Sequence, residues 1–416
     1  MARASRIPAH TYNLRDSYTK QMSNQQKKQT QRYRTIDALR GIAALAVAIF
    51  HLFKPAYADA NGVSKAVIGA VAQFGFIGVP IFFVISGFVI SSTIASREVN
   101  YRFVGKFALK RSIRLDPPYW LSIFIDISLL WMTIHFFHHK TKDIPSPETV
   151  LAHLFYAQDL LGVGQIADIY WTLCLEIQFY LFFALIFAIG NSLSTTKALP
   201  FRGYFIASIF FISSAYSLLI MSGIASTPLH GLFISNWYLF MLGVCSQLDD
   251  RVKNSREIYL AFIVSVCIGV IYTYASKNTL DYYSISGVLT SALIFTAKRK
   301  NKLFSWLNHR PLLFLGSISY SLYLFHAIIG ERFIGVSKII LSKMHISTAE
   351  EWVAFLLFFS SLVVSSAFSF GVYKLVEQPA LSISKLIKPN KKTRIIEDLN
   401  NSKETYPEPS YSRESP

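Results

Sequence analysis

The chain opens with a polar stretch over residues 1–34 that carries eight Lys or Arg and no apolar run. Beyond it, apolar segments of about 17–25 residues, the length that crosses a bilayer, recur to residue 373. They fall at 36–53, 74–95, 117–137, 170–189, 203–221, 229–247, 258–275, 282–297, 312–330 and 352–373. The segments at 229–247 and 282–297 are short or interrupted by polar residues. Ten crossings put both termini on one side. With the tails placed inside, the inner segments hold 33 of the 41 Lys and Arg, so the positive-inside rule gives a cytoplasmic N-terminus and C-terminus. The pattern predicts an all-α polytopic membrane protein with about ten transmembrane helices, in the cell inner (plasma) membrane. It divides into a basic tail at 1–34, a transmembrane domain at 35–380 and a Ser/Glu/Pro-rich tail at 381–416 predicted to be disordered. The longest outer loop is at about 138–169.

Composition narrows the class. Apolar residues make up 52% of the 416 and charged residues 16%, where a soluble domain carries about a quarter charged. The mean hydropathy is +0.37. These values exclude a disordered chain, a collagen-like fibre and a disulfide-stapled module, and argue against an ordinary soluble enzyme. The net charge of +17 sits in short loops and tails, which is topology control rather than a nucleic-acid face. Cys174, Cys245 and Cys267 lie inside predicted spans without a CxxC spacing and are read as packing residues. No metal motif and no phosphate-cradling glycine loop is present. No internal repeat is evident, which disfavours the inverted-repeat transporters.

Ionisable groups inside spans mark function because they are costly there. In the first span, Arg34, Asp37 and Arg40 crowd the cytoplasmic end and His51 lies eleven residues beyond Arg40. Eleven residues at about 100° each bring Arg40 and His51 to one face, about 16 Å apart along the axis. The bland alternatives are a snorkelling arginine and a packed histidine. The loop after the second span carries Lys106, Lys110, Arg111 and Arg114, and Pro117-Pro118 is expected to end whatever helix bears them. Helical spacing converges Lys110, Arg111 and Arg114 on one side, which suits a polyphosphate or, alternatively, lipid headgroups. Glu176 and Tyr180 share a face in the fourth span, with Glu176 about 9 Å from its outer end. In the ninth span Ser319 and His326, seven apart, share a face, though hydroxyls there also serve as helix–helix glue. Ser86-Gly87 reads as a close-packing site. His135, His138 and His139 lie at an outer edge without metal-ligand spacing and read as interfacial.

In that order, these residues resemble the acyltransferase 3 family of integral membrane acyltransferases, which includes bacterial polysaccharide O-acetyltransferases. The motifs are Arg34, Asp37, Leu39, Arg40 and Gly41 with His51; FFVISGF at 82–88; RLDPPYW at 114–120; WTLCLEIQFY at 171–180; SYSLYLFH at 319–326; and Glu377 with Pro379. The resemblance implies an acyl-CoA co-substrate (acetyl-CoA above all), no permanently bound cofactor, and a hydroxyl of a cell-surface or lipid-linked glycan as acceptor. It implies that His51 is catalytic and that Arg34, Arg40, Lys110, Arg111 and Arg114 hold the donor. Where relatives often show two arginines four apart, this chain has Lys110 and Arg114. The short stretch after the last span fits the type without a fused extracytoplasmic domain.

Two readings remain open on the residues. In the first, an acyl group moves from cytosolic acyl-CoA to a glycan hydroxyl, with His51 as base or as acyl carrier. Glu176 and Asp37 accompany it in the catalytic set, and Tyr180, Ser319, Tyr320 and His326 contact substrate or the oxyanion. In the second, the same buried charges serve a transporter or flippase for a glycan or lipid-linked precursor. The partners are the bilayer, the donor and the saccharide, with no nucleic acid.

Overall fold

The computed structural model describes residues 33–387 apart from 96, 98, 138–141, 194–198, 249–251 and 253. The tails at 1–32 and 388–416, and His138 and His139, lie outside the described residues. Every element among the described residues is helical. The α-helices are α1 (Arg34–Ala56), α2 (Val63–Ala72), α3 (Gly78–Ala95), α4 (Tyr101–Phe137), α5 (Pro147–Leu154), α6 (Trp171–Leu193) and α7 (Leu199–Met221), followed by α8 (Trp237–Gln247), α9 (Ser255–Lys277), α10 (Tyr282–Arg299), α11 (Arg310–Lys343), α12 (Glu351–Val372) and α13 (Gln378–Ser384).

Eight runs among the described residues are long and apolar enough to cross a membrane, with α2 and α3 forming one run at Val63–Ala95 and α12 continuing into α13. The expected segments at 229–247 and 282–297 fall outside that set. The first contains α8, only eleven residues long. The second is α10, whose 18 residues include Ser284, Ser286, Thr290, Ser291 and Thr296.

The largest departure from expectation is α4. It is one helix of 37 residues that passes through Pro117 and Pro118, so the basic stretch is helical rather than a loop and the prolines do not end it. Proline fixes φ at a helical value but removes two backbone donors, and side-chain contacts tie this stretch to its neighbours. Here Asp116 accepts from Ser112 Oγ one turn back and from Tyr156 Oη at 2.9 Å, and Trp120 Nε1 donates to the Leu154 carbonyl at 3.3 Å.

The described chain forms two compact units. The first holds residues 33–85 and 239–374, the second 86–238 and 375–387. In the first unit α1 packs on α11 more extensively than any other pair, and α12 packs on both. The α1–α11 crossing is close because it is made of glycines. A Cβ on Gly41 would stand 2.6 Å from Gly316 N and 2.9 Å from Leu312 O, and one on Gly316 would overlap the Asp37 carbonyl. Small residues at such crossings let backbones meet where no hydrophobic effect drives helices together. Leu52, Ala56, Tyr57, Ile334, Val353, Leu357 and Phe358 fill the space further along. Ser361, Ser365 and Ser369, spaced by one turn and wholly buried, line the face of α12 toward α11. Ser365 Oγ donates to the His326 carbonyl at 3.3 Å and Ser369 Oγ to that of Ser321 at 3.4 Å.

At the start of α1, Thr35 Oγ1 donates to the carbonyls of Lys302 (3.1 Å) and Trp306 (2.8 Å). Past its end, Asp59 pairs with Lys338 Nζ at 2.8 Å and accepts from Thr348 Oγ1 at 3.0 Å. These hydrogen bonds hold the Asp59 carboxyl below its ordinary pKa. Gly62 is held at φ 140°, with the Glu351 side chain occupying the space a Cβ would need; only glycine fits there.

In the second unit α4 packs on α6 and α13. Residues 142–169 belong to the outer loop expected at 138–169, and they fold as an ordered segment around α5. Ser146 caps α5 by accepting from Thr149 N at 3.3 Å. The wholly buried His153 sets its Nδ1 2.7 Å from the Thr149 carbonyl and accepts from Ile166 N at Nε2, at 3.2 Å. A carbonyl only accepts, so Nδ1 carries the proton. Burial lowers the His153 pKa. Cys174 is buried and donates Sγ–H to the Tyr156 carbonyl at 2.8 Å. The three cysteines are free.

Candidate active site

Two clusters of intramembrane polar groups emerge, one in each unit. The first is a histidine pair. His51, half-buried on α1, and His326, wholly buried on α11, lie with ring centroids 5.2 Å apart at 57°. Helix geometry explains the meeting. Gly41 to His51 and Gly316 to His326 are both ten residues, about 15 Å of rise, so the glycine crossing sets the two helices in register. His326 Nδ1 lies 3.0 Å from the Leu322 carbonyl and therefore carries the proton, which leaves Nε2 of the neutral ring as an acceptor. That Nε2 is buried and makes no hydrogen bond. Phe50 stands edge-on to His51 at 5.3 Å and Tyr323 lies 6.1 Å from His326.

The other expected residues of this unit are placed elsewhere along the same helices. Ser319 is buried and donates back to the Gly316 carbonyl at 3.0 Å, and Tyr320 is buried on the next position of α11. Asp37, fourteen residues from His51, is about 21 Å from it along α1 and lies where α1 crosses Gly316. Arg34 is exposed and gives one N–H to Asn308 Oδ1 at 3.1 Å; Arg40 is half-buried one and a half turns further on.

The second cluster surrounds Glu176 on α6. Ser86 Oγ donates to Glu176 Oε1 at 2.6 Å, Tyr180 Oη donates to the same oxygen, and Tyr180 Oη also reaches Ser86 Oγ at 3.2 Å. Charge-assisted bonds of this kind are the strong ones and hold a carboxylate in an apolar setting. The Arg111 guanidinium lies over the Tyr180 ring, 4.4 Å from its centroid, and over Phe107 at 5.3 Å. This is cation–π geometry. The helical spacing of Glu176 and Tyr180 was readable in advance; Ser86, read as a packing residue, is a direct ligand of the carboxylate.

Lys110 on α4 lies within electrostatic reach of Arg97, Arg111, Arg114 and Lys385. Arg97, at the start of the same basic stretch, and Lys385, from far along the chain, are further members. Burial lowers the Arg97 pKa. Pooled like charges of this kind call for a polyanion. Among the described residues no group of three His, Cys, Asp or Glu could hold a metal.

Fold and clusters together define a multi-span helical membrane protein with titratable groups inside its helices. The chain belongs to the acyltransferase 3 family, whose profile, described as an acyltransferase domain, matches residues 33–374. It is similar to the O-acetyltransferase OatA of Staphylococcus aureus, 26% identical over 342 residues, covering 74% of this chain and 52% of that protein. It is also similar to the peptidoglycan O-acetyltransferase OatA of Listeria monocytogenes, 25% identical over 338 residues, covering 72% of this chain and 50% of that one. The chain thus spans about half the length of these curated relatives. No solved structure matches it significantly.

Proposed function

We propose that this protein transfers an acyl group, acetyl above all, from cytosolic acyl-CoA to a hydroxyl of a cell-surface or lipid-linked glycan. The observation that carries the reading is the histidine pair: a half-buried imidazole on α1 beside a wholly buried one on α11, inside a chain of an acyltransferase family. The relatives' names, which speak of O-acetyl transfer and in one case of peptidoglycan, favour a glycan acceptor. The chain would cross the inner membrane about ten times, with α8 and α10 completing two crossings and both termini in the cytoplasm.

His51 acts as general base. It takes the proton of the acceptor hydroxyl as that oxygen attacks the thioester carbonyl. The C–S bond then breaks, and the CoA thiolate leaves with the proton that His51 returns. Such proton transfer contributes about 10²–10⁴-fold. Lys110, Arg111 and Arg114, with Arg97 and Lys385, supply charge for the donor's phosphates, and Arg34 and Arg40 are further cations for it. Glu176 with Ser86 and Tyr180 supplies a fixed polar site for substrate hydroxyls.

The test is transfer from radiolabelled acetyl-CoA in membranes expressing wild type or His51→Ala, with extracted glycan as acceptor. Label entering glycan with wild type and falling at least 100-fold with His51→Ala is the expected result. Equal labelling with both would remove His51 from catalysis. No labelling across a panel of acyl-CoAs and matched acceptors would overturn the acyltransferase reading.

A further inference from the structure

The mechanism proposed above gives no task to His326 Nε2. A buried polar atom without a partner is uncommon and calls for a reason. This atom belongs to a side chain with no exposed surface, and its ring is fixed by the Nδ1 contact with the Leu322 carbonyl. α12 holds the same turn through Ser365 and the His326 carbonyl, and a Cβ on Gly330 would stand 2.7 Å from Ser365 Oγ. The lone pair on Nε2 therefore has one orientation.

The nearer of the polar rings beside it is His51. Two imidazoles joined by one N–H···N bond of about 2.9 Å, with nitrogens about 1.15 Å from each ring centre, have centroids about 5.2 Å apart. The observed separation is 5.2 Å. The ring planes are inclined by 57°, and His326 Nε2 makes no hydrogen bond in this structure. A change in the His51 side-chain torsions would bring one of its ring nitrogens to Nε2.

We propose that His326 is a positioning residue for His51: its Nε2 accepts a hydrogen bond from one His51 N–H when substrates are bound, fixing the tautomer whose other nitrogen faces the acceptor hydroxyl. The proposal rests on the reading of His51 as base. It puts a neutral imidazole where a serine-protease-type triad places a carboxylate. The orienting bond is kept while no second charge enters the membrane, where charge is costly. The glycine crossing of α1 and α11 is what makes the pairing possible, since it sets both histidines at one level.

The test compares His51→Ala, His326→Leu and His326→Gln in proteoliposomes, with kcat and KM measured for acetyl-CoA and acceptor. Glutamine offers an amide oxygen as acceptor; leucine fills similar space without one. The expected result is a kcat at least 30-fold lower for His326→Leu with KM for both substrates within two-fold of wild type. Recovery to within ten-fold of wild-type kcat is expected for His326→Gln. Equal kcat for the Leu and Gln variants, or a rise in KM that accounts for the loss, would overturn the positioning role. So would an unchanged ¹⁵N spectrum of His51 in His326→Leu with substrates bound, a readout that needs no turnover. If His51→Ala keeps wild-type kcat the reading of His51 fails first; if it is inactive while His326→Leu is fully active, only the present proposal fails.

Discussion

The glycine crossing gives the sharpest physical prediction. In Gly41→Ala the new Cβ would stand 2.6 Å from Gly316 N, where ordinary contact begins at 3.4 Å, so α1 and α11 must part by about 0.8 Å. Neither neighbour is the end of a flexible side chain; both are backbone. Overpacking of this kind costs about 1–3 kcal/mol. Alanine also gains about 1 kcal/mol in helix propensity over glycine, which would mask part of the loss. Gly335→Ala on α11 corrects for that, because nothing lies within 4 Å of its Cβ position and it carries the same propensity gain. The difference between the two variants isolates the overlap. At about 2–4 °C per kcal/mol, Gly41→Ala should melt roughly 2–12 °C below Gly335→Ala in detergent, followed by fluorescence-detected gel filtration after heating. Displacement of His51 relative to His326 should also reduce acyl transfer, since misplacement by about 1 Å can cost 10²-fold. Equal melting temperatures for the two variants would refute the close crossing and the register built on it.

Glu176→Ala leaves Ser86 Oγ and Tyr180 Oη without their shared carboxylate, so it should destabilise by about 1–3 kcal/mol. Glu176→Gln keeps an acceptor and should lose less; thermal melts of the two that coincide would refute the carboxylate's structural role. His153 predicts a pH effect. Its folded pKa is lowered from 6.5 by burial, so the unfolded segment binds the proton that the folded one refuses. Stability around α5 is then full above about pH 6.5 and falls as pH drops through that value toward the lowered one. Hydrogen exchange over residues 146–166, corrected for intrinsic rates, should accelerate at pH 5 relative to pH 7 in wild type and not in His153→Gln; the same acceleration in both would refute it.

Which parts of the site were readable follows from how far apart the partners lie in the chain. Glu176 with Tyr180, and Lys110 with Arg111 and Arg114, are neighbours on one helix, so periodicity alone places them. Ser86, Lys385 and Asn308 come from distant segments, and no local pattern reports such pairing. Arg111 shows the difference. Spacing assigns it to a cation cluster; the fold also lays it over the Tyr180 ring beside the Glu176 shell. The helix through Pro117 and Pro118 was misread for a related reason. Proline's local penalty is legible, whereas the side chains of Ser112, Tyr156 and Trp120 that engage this stretch are not.

The sequence by itself determined that the chain is helical and membrane-spanning, because backbone groups in hydrocarbon must pair within their own segment and length with apolarity is a local property. It also marked His51, Glu176 and His326 as unusual, since ionisable groups in such segments are costly wherever they point. Only the tertiary structure decided that His51 faces His326. That pairing depends on where α1 and α11 cross, and the crossing depends on two glycines 275 residues apart in the chain whose missing side chains let the backbones touch.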